Sequence, residues 1–345
     1  MPRCEAQADP ASAGAPRGAT RLYLGVDLGG TKISVRLWKE VLDRTIEEPR
    51  LEGSQPVVWG TLPGGPDPNI EKMLDAAKSL LAAPAFRDGR LAAIGVSGGG
   101  PLDPESGRIL SVPNLPGWVD VPIVRRLAEP LEAPAYLEND ANACAVAEWQ
   151  RGAGRGAKNL AFLTCSTGIG AGLILDGRLY RGARRLAGEV GHMTIVPGGL
   201  PCGCGARGCL EAYASGAGMA RRLAILREAG DAPGHDLPAD AKGVVERAKT
   251  GDAWAVGFLR ETAEHLAVGI ANLVFALDLE RVILGTIPTA SGDLLFRPVR
   301  EAVTRRLWPV FREGLEIVPS QLWPEIGDHA ALAVARDLPA LVGAR

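Results

Sequence analysis

The sequence predicts an α/β protein of two related lobes packed around a cleft. Three observations point there. The chain has 345 residues, longer than one compact domain usually runs. Apolar runs of strand length alternate with stretches of helical spacing, and no long linker interrupts them. A strand, a Gly/Thr-rich turn and a second strand occur around Gly29 and again around Gly168, a weak internal repeat.

The elements follow in order. Residues 1–20 read as a disordered tail, and order begins at Arg21. Residues 22–26 form a short apolar run reaching Asp27, and 33–37 alternate like a second strand, with Gly29-Gly30-Thr31-Lys32 suited to a tight hairpin between them. Helical spacing covers 69–81, a buried strand 91–96, another strand 133–137, and a helix 139–150 directly after it. The second block opens with apolar 160–163, turns through 164–172 and continues as strand at 173–175. Leu259, Ala263, Leu266, Ile270, Leu273 and Leu277 step by four and three, the stripe of a core helix. A strand at 281–284, a helix marked by Leu295, Val299 and Val303, and a last helix at 328–340 complete the reading. This places an N-terminal lobe at 21–138 and a C-terminal lobe at 139–327, with the helix 328–345 packing back on the first.

Composition narrows the function classes. The chain is 46% hydrophobic and 23% charged, as a soluble globular protein is. Its net charge is −2, from 38 basic and 40 acidic residues without a long basic run, which argues against nucleic acid as a partner. No apolar run reaches the roughly 18 residues of a membrane-spanning helix. No signal peptide is legible, so the expected compartment is the cytoplasm, where clustered cysteines bind metal more often than they pair.

Four motifs carry chemistry. In Asp27-Leu28-Gly29-Gly30-Thr31-Lys32, glycines let backbone approach phosphate, Thr31 and backbone N–H donate, Lys32 adds charge, and Asp27 could hold Mg²⁺ through water. An ordinary Gly-Gly hairpin explains it equally. Ser166-Thr167-Gly168-Ile169-Gly170 repeats the chemistry, and two such loops are harder to ascribe to chance. Asn139-Asp140 is a helix cap or a pair in which Asn orients a hydroxyl and Asp accepts its proton. Cys202, Cys204 and Cys209 with His192 make a complete tetrahedral ligand set for a structural Zn²⁺. Unligated core thiols are the alternative, and a redox pair lacks the Cys-x-x-Cys spacing. Gly203, Gly205 and Gly208 match a dinucleotide spacing but lie inside the cysteine cluster, so that reading is rejected.

From about Leu22 to the C-terminal helix, these residues together resemble the ROK sugar kinases, which include bacterial glucokinases, fructokinases and N-acetylhexosamine kinases. Asp27–Lys32 and 166–172 look like the family's two phosphate loops, Glu189-Val190-Gly191-His192 matches its Glu-x-Gly-His motif, and 202–211 with Ser215 matches its zinc motif. The resemblance implies an actin-like (ribonuclease-H-like) two-lobed α/β fold with a cleft between lobes that binds sugar and nucleotide. It makes Asp140 the catalytic base, with Gly100, Asn114, Asn139, Asp140, Glu189, His192 and Glu211 around the sugar. Asp27, Gly29, Gly30, Thr31, Lys32, Thr167, Gly168 and Gly285 fall on the nucleotide and phosphates, and His192, Cys202, Cys204 and Cys209 on zinc. One departure stands out: Gly285-Thr286-Ile287 replaces a run of three glycines, which bears on the phosphoryl donor.

The implied reaction is in-line transfer from Mg–ATP to a hexose hydroxyl, O6, of glucose or a related or N-acetylated hexose. The implied cofactors are structural Zn²⁺ and Mg²⁺ with ATP, and the assembly a homodimer or homotetramer. A catalytically lapsed sugar-sensing regulator on the same scaffold, or a kinase with another donor, is the alternative. Such regulators carry an N-terminal helix-turn-helix module, for which the residues before Leu22 are too few. The zinc is expected to tie 202–209 to His192, holding Glu189 and Glu211 on the sugar.

Overall fold

The structure, a computed structural model, describes residues 20–41, 49–112, 115–229 and 237–342. The expected tail, apart from Thr20, and the expected sugar contact Asn114 lie outside them. The chain forms two compact units: one runs to Ala143 and resumes at Gly327, and the other is Cys144–Ile326. The division therefore falls within the helix Asp140–Arg151, not before it as the sequence suggests.

In the first unit, strands β1 (Arg21–Leu28), β2 (Lys32–Val41), β3 (Arg50–Gly53), β4 (Val57–Gly60), β5 (Arg90–Gly98) and β9 (Ala135–Asn139) make one sheet in the order β3-β2-β1-β5-β9, with β4 also on β2. β1 is antiparallel to β2 and parallel to β5, which is parallel to β9. The short strands β6 (Leu102–Asp103), β7 (Arg108–Ser111) and β8 (Val119–Val121) form a second sheet that the sequence reading lacks. β2 runs beyond the expected 33–37. The alternation breaks at Trp38-Lys39, which disguises the strand; Trp38 and Glu40 are both buried, and the Glu40 charge is met by Arg336 at 3.1 Å. The expected helix 328–340 is two helices, Ile326–Arg336 and Leu338–Val342. Pro339 explains the break: it has no N–H, and its ring opposes a continuous turn. The first of these helices packs Leu332 and Ala335 against Tyr23 and Trp38.

In the second unit, β10 (Leu160–Cys165), β11 (Ile169–Leu175), β12 (Arg178–Tyr180), β13 (Arg281–Leu284) and β14 (Glu316–Pro319) are ordered β12-β11-β10-β13-β14. β10 is antiparallel to β11 and parallel to β13, and β13 is parallel to β14. Each unit is thus a hairpin whose first strand continues into a parallel sheet, the topology of an actin-like, ribonuclease-H-like lobe. The turn expected over 164–172 shortens to 166–168, because Cys165 pairs with Ile169 and both are strand residues. The helix Ala253–Leu277 buries Leu259, Ala263, Leu266, Ile270 and Leu273 against the helix Asp293–Arg306 and the sheet. Each leucine so buried contributes about 1.5–3 kcal/mol.

Candidate functional site

The first unit gathers its chemistry at the ends of β1 and β9. At the β1–β2 turn the Gly29 N–H donates to the Lys32 carbonyl at 3.0 Å. Thr61 holds the turn from behind: its hydroxyl donates to the Gly29 carbonyl at 2.8 Å and its N–H to the Thr31 carbonyl at 3.1 Å. The N–H groups of Gly30 and Thr31 meet no acceptor among the described residues, and Thr31 and Lys32 are exposed. A turn with occupied carbonyls and open amides offers partial positive charge to an anion.

Asp27 lies against Gly327, where an added Cβ would overlap its carboxylate. Beside it stands Asp328, held by the Ser34 hydroxyl at 2.6 Å and by Arg36 at 3.4 Å. Burial, then the Asp140 and Asp328 carboxylates, opposed by Lys32, push the Asp27 carboxyl up to about 7.

Asn139 ends β9, and its Oδ1 accepts the N–H groups of Ala141 at 3.0 Å and Asn142 at 3.4 Å. It is therefore a helix cap, and its Nδ2 hydrogen-bonds towards the Asp140 carboxylate, which favours the ionised acid. A methyl on Gly100 would stand 3.8 Å from that Nδ2. Asp140 opens the helix, its Oδ1 accepting the Ala141 N–H at 2.8 Å. Close surrounding by protein raises its pKa and the Ala141 N–H opposes the rise. The side chain is also reached by solvent, which moderates the shift. Glu138, buried, fixes this corner by accepting the Asn139 N–H and the Asn142 Nδ2, both at 3.0 Å. Thr61, Asp328 and Glu138 have no site role in the sequence reading.

In the second unit the turn 166–168 closes with the Ser166 N–H on the Gly168 carbonyl at 2.9 Å. The carbonyls of Ser166 and Thr167 accept the N–H groups of Gly216 at 2.7 Å and Ala217 at 3.1 Å, which open the helix Gly216–Glu228. The amides of Thr167 and Gly168 have no acceptor among the described residues. Glu211 Oε2 accepts the Ile169 N–H at 2.9 Å and lies so close to Gly168 that any side chain there would collide with it. One oxygen of Glu211, expected on the sugar, is thus committed to this turn.

His192 and the three cysteines converge. One ligand atom from each of His192, Cys202, Cys204 and Cys209 lies within 4.8 Å of every other. Cys202 Sγ is 3.7 Å from His192 Nδ1, and Cys204 Sγ is 3.7 Å from Cys209 Sγ, with all three thiols free. Bonds of about 2.3 Å to a tetrahedral zinc would separate two sulfurs by about 3.8 Å, so the donor set fits that ion. Burial pushes the Cys209 thiol up to about 12, so ligation displaces a proton there. The other ring nitrogen, His192 Nε2, is 3.9 Å from the exposed Glu189 carboxylate.

Beside the turn 166–168 lies a cavity of about 700 Å³, lined by Thr167, Ala241, Lys242, Thr286, Ile287 and Trp323 among others. Gly285 is not in its wall. Its N–H bonds the Leu163 carbonyl at 2.9 Å, and the Phe162 ring fills the place of a side chain. Ala241, Lys242 and Trp323 carry no recognisable sequence signal.

A model of the ROK family matches residues 23–338. A glucokinase of Halalkalibacterium halodurans is 32% identical over 318 residues, 89% of this chain and 92% of that protein. The crystal structure of a ROK hexokinase from Thermus thermophilus is similar with a TM-score of 0.75 and 35% identity, over 91% of this chain and 97% of that one. A ROK family glucokinase from Streptomyces griseus, in complex with glucose and AMPPNP, gives 0.72 and 30% over 91% and 99%. A xylose repressor of Caldicellulosiruptor bescii is 33% identical over 71% of this chain and 62% of its own length. With its family's motifs on both sheets and the match spanning nearly all described residues, the chain belongs to the ROK family.

Proposed function

We propose that this chain phosphorylates a hexose, glucose or an N-acetylated relative, at O6, with Mg–ATP as donor and Asp140 as general base. The observation that carries the reading is the Asn139–Asp140 corner at the end of β9, in electrostatic contact with Asp27. The similarity to a glucokinase and a hexokinase supports the substrate class. Asn139 Nδ2 orients the attacking hydroxyl, and Asp140, whose raised pKa suits a proton acceptor, takes its proton as the bond to phosphorus forms. The open amides of Gly30, Thr31, Thr167 and Gly168 steady phosphate oxygens. Magnesium bound with ATP would neutralise phosphate charge, and Asp27 is the carboxylate that would hold it through water. Glu189 and His192 Nε2 would face sugar hydroxyls, and His192, Cys202, Cys204 and Cys209 would hold a zinc ion that fixes their loop without entering the reaction.

Asp140→Asn tests the base. Sugar binding should persist while turnover falls about 10²–10⁴-fold, and near-normal turnover would remove Asp140 from the role. The likeness to a xylose repressor favours a second reading, a sugar sensor without catalysis. A panel of hexoses assayed with Mg–ATP decides: a sensor binds sugar and forms no sugar phosphate.

A further inference from the structure

Thr286 has φ 55° and ψ −112°, a conformation that glycine adopts freely and a β-branched residue only under strain. Strain kept at one residue points to a task for that side chain. Its Oγ1 accepts the Cys165 N–H at 3.1 Å. Cys165 is fully buried, and its amide lies beyond the β10–β13 ladder, which ends at the pair Leu163–Leu284. Glycine at 286 would relieve the strain and leave that buried N–H without an acceptor.

The position of this bond gives it consequence. Cys165 is the residue on which the turn 166–168 rests. The opposite stem is held by Glu211 on the Ile169 N–H, and the back of the turn by the Gly216 and Ala217 amides. Thr286 completes a three-sided clamp whose remaining amides, on Thr167 and Gly168, bond nothing in the protein among the described residues. Thr286 and Thr167 also line the same cavity of about 700 Å³.

We propose that Thr286 is a positioning residue for the phosphoryl donor: its hydroxyl, kept at the cost of backbone strain, aims the Thr167 and Gly168 amides at donor phosphates. This rests on the kinase reading above. Three variants separate the hydroxyl from the strain. Thr286→Val keeps the shape and the strain and loses the acceptor, Thr286→Ser keeps the acceptor, and Thr286→Gly loses both acceptor and strain.

The experiment is Mg–ATP binding by calorimetry, with ATP and glucose KM and thermal unfolding alongside. Thr286→Val should weaken Mg–ATP binding roughly three- to tenfold, the scale of one hydrogen bond, with a matching rise in ATP KM and an unchanged glucose KM. Thr286→Ser should restore wild-type binding. Thr286→Gly should unfold at a higher temperature than Thr286→Val yet bind Mg–ATP as weakly, a split that a purely structural role would not produce. Wild-type Mg–ATP affinity in the Val or Gly variant, or no Mg–ATP binding by the wild type, overturns the proposal. Wild-type binding of Mg–ATP without sugar phosphorylation overturns the kinase reading instead, and the variants' affinities still judge Thr286.

Discussion

Raising the pH from about 4 to about 8 should destabilise the unit that contains Asp27 more in the wild type than in Asp27→Asn. The Asp27 carboxyl titrates near 3.8 in an unfolded chain and at about 7 in the fold. Between those values the folded state binds more protons than the unfolded one, so stability falls as pH rises, and the penalty is complete above about 7. At about 1.4 kcal/mol per pKa unit the shift corresponds to roughly 4 kcal/mol. Asp27 is half-buried, and solvent screening brings the expected penalty to about 2 kcal/mol. Asparagine mimics the protonated acid in shape and cannot ionise. The variant should therefore match the wild type near pH 4 and exceed it by about 2 kcal/mol near pH 8. Urea unfolding without magnesium, read by hydrogen exchange in β1 and β5, reports the relevant unit even if the two units unfold separately. A difference between the two proteins that stays constant across this range would refute the assignment of the shift to Asp27.

Two further substitutions test the surroundings. Gly327→Ala places a methyl on the Asp27 carboxylate and must displace it; turnover should fall at least about tenfold while sugar binding persists, since small misplacements near reacting groups are costly. An unchanged kcat would show that Asp27 has room to move. Cys204→Ser should abolish stoichiometric zinc and raise the sugar KM, and a metal-free variant with wild-type sugar affinity would sink the coupling between zinc and sugar.

Sequence reading reaches as far as local chemistry does. The turns at 29–31 and 166–168 are legible because Gly and Thr density marks them, and the cluster of His192 with three cysteines because its spacing is that of a metal-ligand set. Thr61, Glu138 and Asp328 are not legible. Thr61 and Glu138 meet the site only once the sheet has paired, and Asp328 comes from a remote helix; a single polar residue carries no periodic signal. The same blindness hides β2 beyond Leu37, where Trp38-Lys39 interrupts the alternation and the buried Glu40 finds Arg336 almost three hundred residues away. At 285–287 the departure from the family pattern is visible in the residues. The left-handed backbone of Thr286 and its bond to Cys165 are not, because they depend on where β13 ends.

The segment Glu189–Glu211 gains its meaning from how both its ends are tied. Before His192, the Gly188 carbonyl accepts the Ala171 N–H at 2.8 Å; after Cys209, Glu211 takes the Ile169 N–H at 2.9 Å. Both anchors are on β11, two residues apart along one strand edge. Between them the loop is bridged by Thr194 and Cys209, and by the Leu210 N–H on the Met193 carbonyl at 3.0 Å. A metal linking His192 to Cys209 would close the loop at the point where its two arms leave the sheet, where the closure restrains most of the intervening chain. It would also restrain Glu211, two residues past its last ligand, and through it the turn whose amides are proposed to meet the donor. Zinc and phosphate turn then belong to one mechanical piece. Loss of metal in Cys204→Ser should accordingly speed hydrogen exchange at the Ile169 amide, even though zinc touches neither that residue nor any reacting atom. Unchanged protection at Ile169 in the metal-free protein would show that Glu211 holds the turn without help from the loop.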